Sequence, residues 1–150
     1  MSPVMPGIVV KAMLIVRNNG KLLFSRGFDT VKKQGFLRPL GGHVEFGEKG
    51  EETIWREMQE EFGCGVKDIQ FLSVLENLFT YNGKQGHEIV FMYKGKLADE
   101  SFYKKEQFTF REGDREAEAG WFSQIDIEKE KLPIYPPFDY FRAHLTKSPK

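Results

Sequence analysis

The protein has 150 residues, of which 40% are hydrophobic and 29% are charged, with 22 basic and 22 acidic side chains that cancel at pH 7. This composition excludes a disordered chain and a membrane-spanning one, and the zero net charge argues against binding to nucleic acid or membranes through an overall basic field. A chain of this length has the size of one domain, so we expect residues 1–150 to form a single domain with one core.

The cysteine content and the N-terminus bear on the compartment. Cys64 is the one cysteine in the sequence, so an internal disulfide is impossible and a structural zinc site would have little sulfur available. The N-terminus lacks a basic leader, and Lys11 interrupts the apolar run at 8–16, which argues against a secretion signal. No stretch approaches the ~20 apolar residues of a membrane span. We therefore expect a cytoplasmic protein.

The first elements of the chain are predicted to be strands. Branched apolar residues at 8–16 indicate a buried strand, and residues 21–26 indicate a second one. The Asn-Asn-Gly sequence at 18–20 is a turn signal, so the two strands are expected to form a hairpin. Residues 28–34 are predicted to be a loop, and residues 36–45 to be short extended pieces around a glycine turn.

One long helix is predicted at 48–62, ending at Gly63 as a C-terminal cap. The elements predicted after it are, in chain order, an interrupted strand at 66–81, a loop at 82–86, a strand at 88–97, an irregular charged segment at 99–117, a short final strand at 120–123 and a last helix at 138–146. Strands around one long helix, with another helix at the end, indicate an α/β domain with helices packed on a sheet.

The predicted long helix has an apolar face and an acidic face. At 3.6 residues per turn, Glu57, Glu60 and Glu61 are neighbours on an arc away from the apolar one. Like charges so placed repel one another, and a hard divalent cation such as Mg²⁺ or Mn²⁺ would reverse that effect. The ordinary alternative is a solvated acidic face. The apolar arc, which we expect to face the core, contains Ile54, Trp55, Met58 and Phe62.

Residues on both sides of this helix extend the pattern. Apolar Met58 and Cys64 complete a series of fixed elements, which are, in chain order, Gly42, Glu48, Arg56, Glu57, Glu60, Glu61 and Gly63. This series resembles the Nudix box of the Nudix hydrolases, and every fixed position matches. The resemblance implies a Nudix-type α/β/α sandwich with a central mixed sheet. It also implies hydrolysis of the pyrophosphate linkage in a nucleoside diphosphate linked to another group, by activated water and with Mg²⁺ or Mn²⁺ as cofactor.

The resemblance also assigns roles within the box. Glu57, Glu60 and Glu61 match the metal-binding carboxylates of the family, and Glu57 is in addition a candidate general base. Arg56 matches an arginine that orients the catalytic carboxylates, and we expect it to pair with Glu48. These four glutamates and the arginine therefore form the predicted catalytic and metal-binding set.

Further site residues are expected outside the helix. Gly42 begins a loop whose backbone would approach a metal or phosphate, since glycine has no Cβ, and Arg38 is a candidate phosphate contact. In many members a further glutamate before the last strand binds metal or acts as base. Glu116 is our first choice for it, ahead of Glu112 and Glu118, although the whole segment is also explained by a solvated charge run.

Two other functions remain open at this point. The same box serves enzymes that sanitise damaged nucleoside triphosphates, and a Nudix-type domain can also bind a ligand without turnover. The complete carboxylate set argues against a pure binding domain. The expected partner is a small-molecule nucleotide substrate, with no nucleic acid and no membrane, and a homodimer is left open.

Overall fold

The computed structural model describes residues 7–142 and 144. This part of the chain forms nine strands, three α-helices and a 3₁₀ turn. Their bounds are β1 Ile8–Ile15, β2 Arg17–Asn18, β3 Lys21–Asp29, β4 Gln34–Arg38, β5 Leu40–His43, α1 Gly50–Phe62, β6 Val66–Tyr81, β7 Lys84–Leu97, the 3₁₀ turn Glu100–Lys104, β8 Gln107–Glu112, β9 Arg115–Phe122, α2 Gln124–Glu130 and α3 Phe138–Arg142.

The strands form two sheets. In the first, the order is β5-β1-β7-β6, and β1 runs parallel to β7 while the other pairs are antiparallel. The second sheet has the order β2-β3-β9-β8, and β4 also pairs with β3. The predicted α/β fold with a mixed sheet is therefore confirmed, with the parallel pair at the centre of the first sheet.

The hydrophobic core lies on both faces of β1. Alternate residues of a strand point to opposite faces of its sheet. Ala12 and Leu14 accordingly pack in one cluster, together with Ile54 and Met58 of α1. The intervening residues of β1 pack in a second cluster around the fully buried ring of Phe24. Helix α1 is thus held against the sheet by its apolar face, which directs its acidic face outward.

Two predicted elements near the start of the chain differ from the structure. The expected hairpin forms, but its first strand is only β2, because the chain passes from β1 in one sheet to β2 in the other. Asn19 and Gly20 have φ angles of 51° and 79°, as a tight hairpin turn requires. Helix α1 begins at Gly50, so Glu48 lies outside it. Trp55 is 45% exposed and does not join the core, whereas Thr53 is fully buried.

The prediction of an irregular segment at 99–117 was wrong. It contains the 3₁₀ turn, β8 and the start of β9, which pair as a long antiparallel hairpin. Backbone hydrogen bonds across this hairpin stabilise a charged sequence that has weak strand propensity. Helix α2 was not predicted, although Ser123 and Asp126 form a capping box at its start. Most of the predicted last helix beyond α3 lies outside the described residues.

Candidate active site

The side chain of Arg56 joins the loop before α1 to the helix itself. Its Nε donates to Glu48 Oε2 at 2.8 Å, and its Nη2 donates to Glu48 Oε1 at 3.0 Å and to the carbonyl oxygen of His43 at 2.9 Å. Thr53 Oγ1 also donates to Glu48 Oε1 at 2.6 Å. These hydrogen bonds, first from Arg56 and then from Thr53, lower the pKa of Glu48 to about 2, so the pair stays ionised at neutral pH.

The same guanidinium also orients carboxylates of α1. Arg56 Nη1 donates to Glu57 Oε1 at 2.9 Å and to Glu60 Oε2 at 3.4 Å. The side chain of Glu57 is 16% exposed and that of Glu60 is 60% exposed. Because Arg56 is fixed on its other side by Glu48, it holds Glu57 in a defined position. The structure thus brings together Glu48, Arg56 and Glu57, as the box resemblance led us to expect.

Four carboxylates meet at one cleft of about 520 Å³, which we call the carboxylate cleft. Glu57, Glu60 and Glu61 enter it from α1, and Glu112 enters it from the end of β8. Cationic Lys11 and Arg38 also line the cleft, and Arg38 Nη2 donates to Glu112 Oε2 at 2.7 Å. The acidic residues that helical periodicity grouped together therefore line one cavity, although Glu60 is also 60% exposed to solvent.

Electrostatic repulsion and burial perturb two of these carboxylates. The pKa of Glu61 is raised to about 8, chiefly by burial and then by the negative charges of Glu57 and Glu112. Burial also raises the pKa of Glu57, and its hydrogen bond from Arg56 opposes this change. The carboxylates of the cleft therefore repel one another, which is the condition that a bound cation relieves.

The donor chemistry of the carboxylate cleft fits a hard divalent cation, because Mg²⁺ and Mn²⁺ prefer carboxylate oxygens. Gly42, on β5, faces Glu57 closely: a Cβ at this position would overlap the Glu57 carboxylate and stand 2.8 Å from its Cγ. The close approach therefore requires glycine here. In residues 7–142 and 144, no three acidic, histidine or cysteine side chains are already gathered closely enough to hold a metal, so ligation requires carboxylate side chains to rotate.

Strand register places Glu112 and the predicted Glu116 on opposite faces of the second sheet. In β8, Phe108, Phe110 and Glu112 alternate onto the face that packs against α1, and the ring of Phe110 stacks on Phe62 at 4.6 Å. Glu112 therefore points to the carboxylate cleft. On β9, Ala117 and Ala119 face α1. Glu116 points to the opposite face and lines a different cavity. The repeating Phe-x-Phe-x-Glu pattern of β8 was the sequence signal that could have identified Glu112.

A second cavity of about 770 Å³ adjoins the carboxylate cleft, and the two share Lys11, Met13 and Arg38. Arg38, which the sequence offered as a phosphate contact, thus lies at the junction. The second cavity, as we call it below, has aromatic side chains from β3, β4, β6 and the segment before α3. Sequence reasoning did not find this cavity, since its walls come from segments that are far apart in the chain.

Comparison with known proteins agrees with this architecture. Residues 5–141 match the family model of the NUDIX domain. A solved structure of a NUDIX hydrolase from Nitrosomonas europaea superposes with a TM-score of 0.62 at 18% identity, covering 95% of this chain and 93% of that one. The E. coli ORF135 protein gives a TM-score of 0.52 at 17% identity, covering 95% and 96%. A MutT NUDIX hydrolase from Burkholderia pseudomallei gives 0.50 at 21% identity, covering 80% and 86%. At these identities the structural likeness indicates the fold. Among the described residues, no helix has the length and apolar character needed to cross a membrane.

Proposed function

Since the chain belongs to the NUDIX domain family and is a Nudix hydrolase, we propose that it cleaves the pyrophosphate linkage of a nucleoside diphosphate linked to another group. The observation that carries this proposal is the carboxylate cleft, where Glu57, Glu60, Glu61 and Glu112 face Lys11 and Arg38. Carboxylates suit a divalent cation, and basic side chains suit phosphate oxygens. A single cleft with both kinds of group is suited to a metal–diphosphate substrate.

Nudix hydrolases generally use divalent metal cations, and we propose Mg²⁺ or Mn²⁺ for this protein. Glu57, Glu60 and Glu61 would hold the cation, and Gly42 leaves the space in which the Glu57 carboxylate lies. When bound, the cation would offset the negative charge of the diphosphate and lower the pKa of a coordinated water. Arg56 orients Glu57 and is itself fixed by Glu48, so the position of the ligand set depends on this pair.

Proton removal from the attacking water requires a carboxylate at the cleft. Glu57 meets this requirement, since it lines the cleft and is held in place by Arg56. The loop carboxylate that we propose as its alternative is Glu112, because Glu116 lines the second cavity. Arg38, at the junction of the two cavities, would contact the phosphates. The organic part of the substrate would then extend into the second cavity.

The proposal is tested by incubation with Mg²⁺ or Mn²⁺ across nucleotide sugars, ADP-ribose, dinucleoside polyphosphates and oxidised nucleoside triphosphates, with the phosphomonoester and pyrophosphate products converted to inorganic phosphate by a phosphatase and a pyrophosphatase before measurement. The oxidised triphosphates represent the alternative function of sanitising damaged nucleotides. We expect turnover that EDTA abolishes. Lack of turnover with every class, despite measurable nucleotide binding, would instead support a ligand-binding domain without catalysis.

A matched pair of variants on α1 tests the ligand assignment. Glu60→Gln removes a ligand charge while keeping the shape of the side chain, and we expect activity at limiting Mg²⁺ to collapse and to recover partly as Mg²⁺ is raised. Glu51→Gln makes the same change on an exposed residue of the first turn, outside the cleft, and should leave activity unchanged. Equal activity of the two variants at limiting Mg²⁺ would remove Glu60 from the ligand set.

The compartment and the assembly state complete the proposal. The single cysteine is buried, where it packs in the core cluster of α1, and this environment supports a protein that works in the reducing cytoplasm without a disulfide. We further propose that residues 1–150 form one domain, which predicts a single cooperative unfolding transition. Whether the protein forms a homodimer is tested by light scattering, which measures its molar mass in solution at working concentrations.

A further inference from the structure

The floor of the second cavity carries a row of three polar side chains from adjacent strands. Lys11 of β1, Glu88 of β7 and Asn77 of β6 lie in that order across the first sheet, and all three line the cavity. Lys11 Nζ lies 2.8 Å from Glu88 Oε2, and Asn77 Nδ2 donates to Glu88 Oε1 at 3.2 Å. Glu88 therefore sits between a cationic donor and an amide.

These groups are almost fully removed from solvent. Asn77 is 3% exposed and Glu88 is 5% exposed, and the side chain of Lys11 is 13% exposed. Burying an ion pair costs desolvation free energy, and an apolar pair of similar volume often stabilises a fold as well or better. Packing alone therefore does not account for charged residues on a cavity floor. All three residues instead line a space large enough for a ligand.

Part of the wall of the same cavity is aromatic. The tip of the Phe36 ring covers Gly27, and the tip of the Phe79 ring covers Gly86, since a Cβ at either glycine would overlap the ring. Tyr135 contacts both rings, with centroids 5.6 Å from Phe36 and 6.3 Å from Phe79. Phe28 is 54% exposed yet also lines the cavity. Aromatic walls with few polar groups on the floor are typical of sites for planar heterocycles.

The order of the polar groups restricts which heterocycle fits. Lys11 donates, the Glu88 carboxylate accepts, and Asn77 can accept through Oδ1 or donate through its second N–H. A ring carbonyl next to a ring N–H matches this order, since the carbonyl accepts from Lys11 and the N–H donates to Glu88. Guanine, hypoxanthine and uracil have this edge. Adenine and cytosine have an amino group beside an unprotonated ring nitrogen, which reverses both polarities.

We propose that the second cavity is the base-binding subsite and that Lys11, Glu88 and Asn77 select nucleobases with a carbonyl beside a ring N–H. This inference rests on the proposed function, because the diphosphate at the junction of the two cavities places the base in the second one. Lys11 and Arg38 line both cavities, so the base and the phosphates of one nucleotide can be bound together.

The primary test measures binding of nucleoside monophosphates to the unmodified protein by calorimetry in EDTA. GMP, IMP and UMP should bind about 5- to 150-fold more tightly than AMP and CMP, the range expected for a matched against a mismatched base edge. Equal or tighter binding of AMP or CMP would overturn the proposal, and so would no binding of any of the five at millimolar concentration. Monophosphates lack the pyrophosphate linkage, so this result is independent of hydrolysis and of metal. Base selectivity without turnover would overturn only the proposed function.

Two sets of variants separate the floor from the walls. Glu88→Gln replaces the central acceptor with a group that can donate, so the preference for GMP over AMP should fall towards equal affinity. Because this change breaks a buried ion pair, Asn77→Leu provides a second probe at the uncharged end of the row, with the same expected direction. Folding of each variant is checked by its unfolding transition. A selectivity equal to that of the wild type in folded protein would contradict the assignment of the floor.

For the walls, Phe28→Leu is compared with Phe71→Leu, a control on β6 with a similar exposure of 51% that does not line the second cavity. Base stacking on an aromatic ring predicts about 5- to 150-fold weaker binding of GMP and of UMP by Phe28→Leu, without a change in selectivity. Phe71→Leu should bind as the wild type does. Equal affinities of the two variants would show that Phe28 does not contact the base.

Discussion

Replacing the carboxyl group of Glu61 with an amide is expected to stabilise the metal-free protein. Burial and the charges of Glu57 and Glu112 raise the pKa of Glu61 from 4.5 to about 8. The folded state therefore keeps a proton that the unfolded chain has already lost between these pH values. Because the unfolded state binds fewer protons in this window, stability falls as pH rises from 4.5 to 8. Glu61→Gln removes this loss.

The size of the effect follows from the pH range involved. Each pKa unit corresponds to about 1.4 kcal/mol, so a shift that begins at 4.5 has an upper bound of about 3 kcal/mol at pH 7. The cleft is open to water, which screens the repulsion, and an expected gain of about 1–3 kcal/mol allows for this. For a chain of this size the gain corresponds to a rise in Tm of about 2–10 °C.

Thermal unfolding in EDTA at pH 5 and pH 8 measures the difference between the wild type and Glu61→Gln. The gap in Tm should be small at pH 5 and should widen towards pH 8, while Glu51→Gln, on an exposed part of the same helix, should show no such trend. Added Mg²⁺ should stabilise the wild type more than Glu61→Gln, because the cation offsets the repulsion. A lower Tm for Glu61→Gln in EDTA, or a gap that does not change with pH, would refute the reasoning.

Three further predictions concern neighbouring positions. Gly42→Ala should keep the fold but lower kcat about 10²-fold, because its Cβ displaces the Glu57 carboxylate from the position in which Arg56 holds it. Gly41→Ala should instead lower Tm, because φ is 149° and its Cβ meets the backbone of β1. Glu112→Gln should lower kcat about 10²–10⁴-fold at saturating metal if it removes the base, whereas Glu116→Gln should change it little; the reverse result would return the role to Glu116. The pKa of Glu48, which pairs with Arg56, is lowered from 4.5 to about 2. The pair therefore contributes stability above pH 4.5 that is lost as pH falls towards 2, and acid unfolding followed by circular dichroism measures this loss. Glu48→Gln should lack that contribution, and an unchanged acid transition would contradict it.

Local pattern was sufficient for the helix of the site and for the grouping of its carboxylates. The spacing of Glu57, Glu60 and Glu61 places them on one arc of any α-helix, and Gly63 ends that helix in a left-handed conformation with φ of 60°. These features depend on residues three or four apart, so they are set by the geometry of one element. The family resemblance extended the same local series to Gly42 and Glu48.

Partners across the sheets could not be derived in this way. The charged segment at 99–117 has little strand character by itself, and it becomes β8 and β9 because each provides hydrogen-bond partners for the other. Register then decides which acid faces α1, since a shift of one residue moves a side chain to the opposite face of a sheet. Glu112 lines the carboxylate cleft, and Glu116 lines the second cavity.

The sequence by itself determined the acidic helix and the glycine that ends it, and the resemblance of its box to the family assigned the class of reaction. Only the tertiary structure decided what surrounds it. Lys11, Asn77 and Glu88 are distant in sequence, yet they form one row because β1, β7 and β6 are neighbours in the first sheet. Helical periodicity is a property of a short segment, whereas a cavity exists only where strands from separate parts of the chain are brought together by pairing and by burial of a shared core.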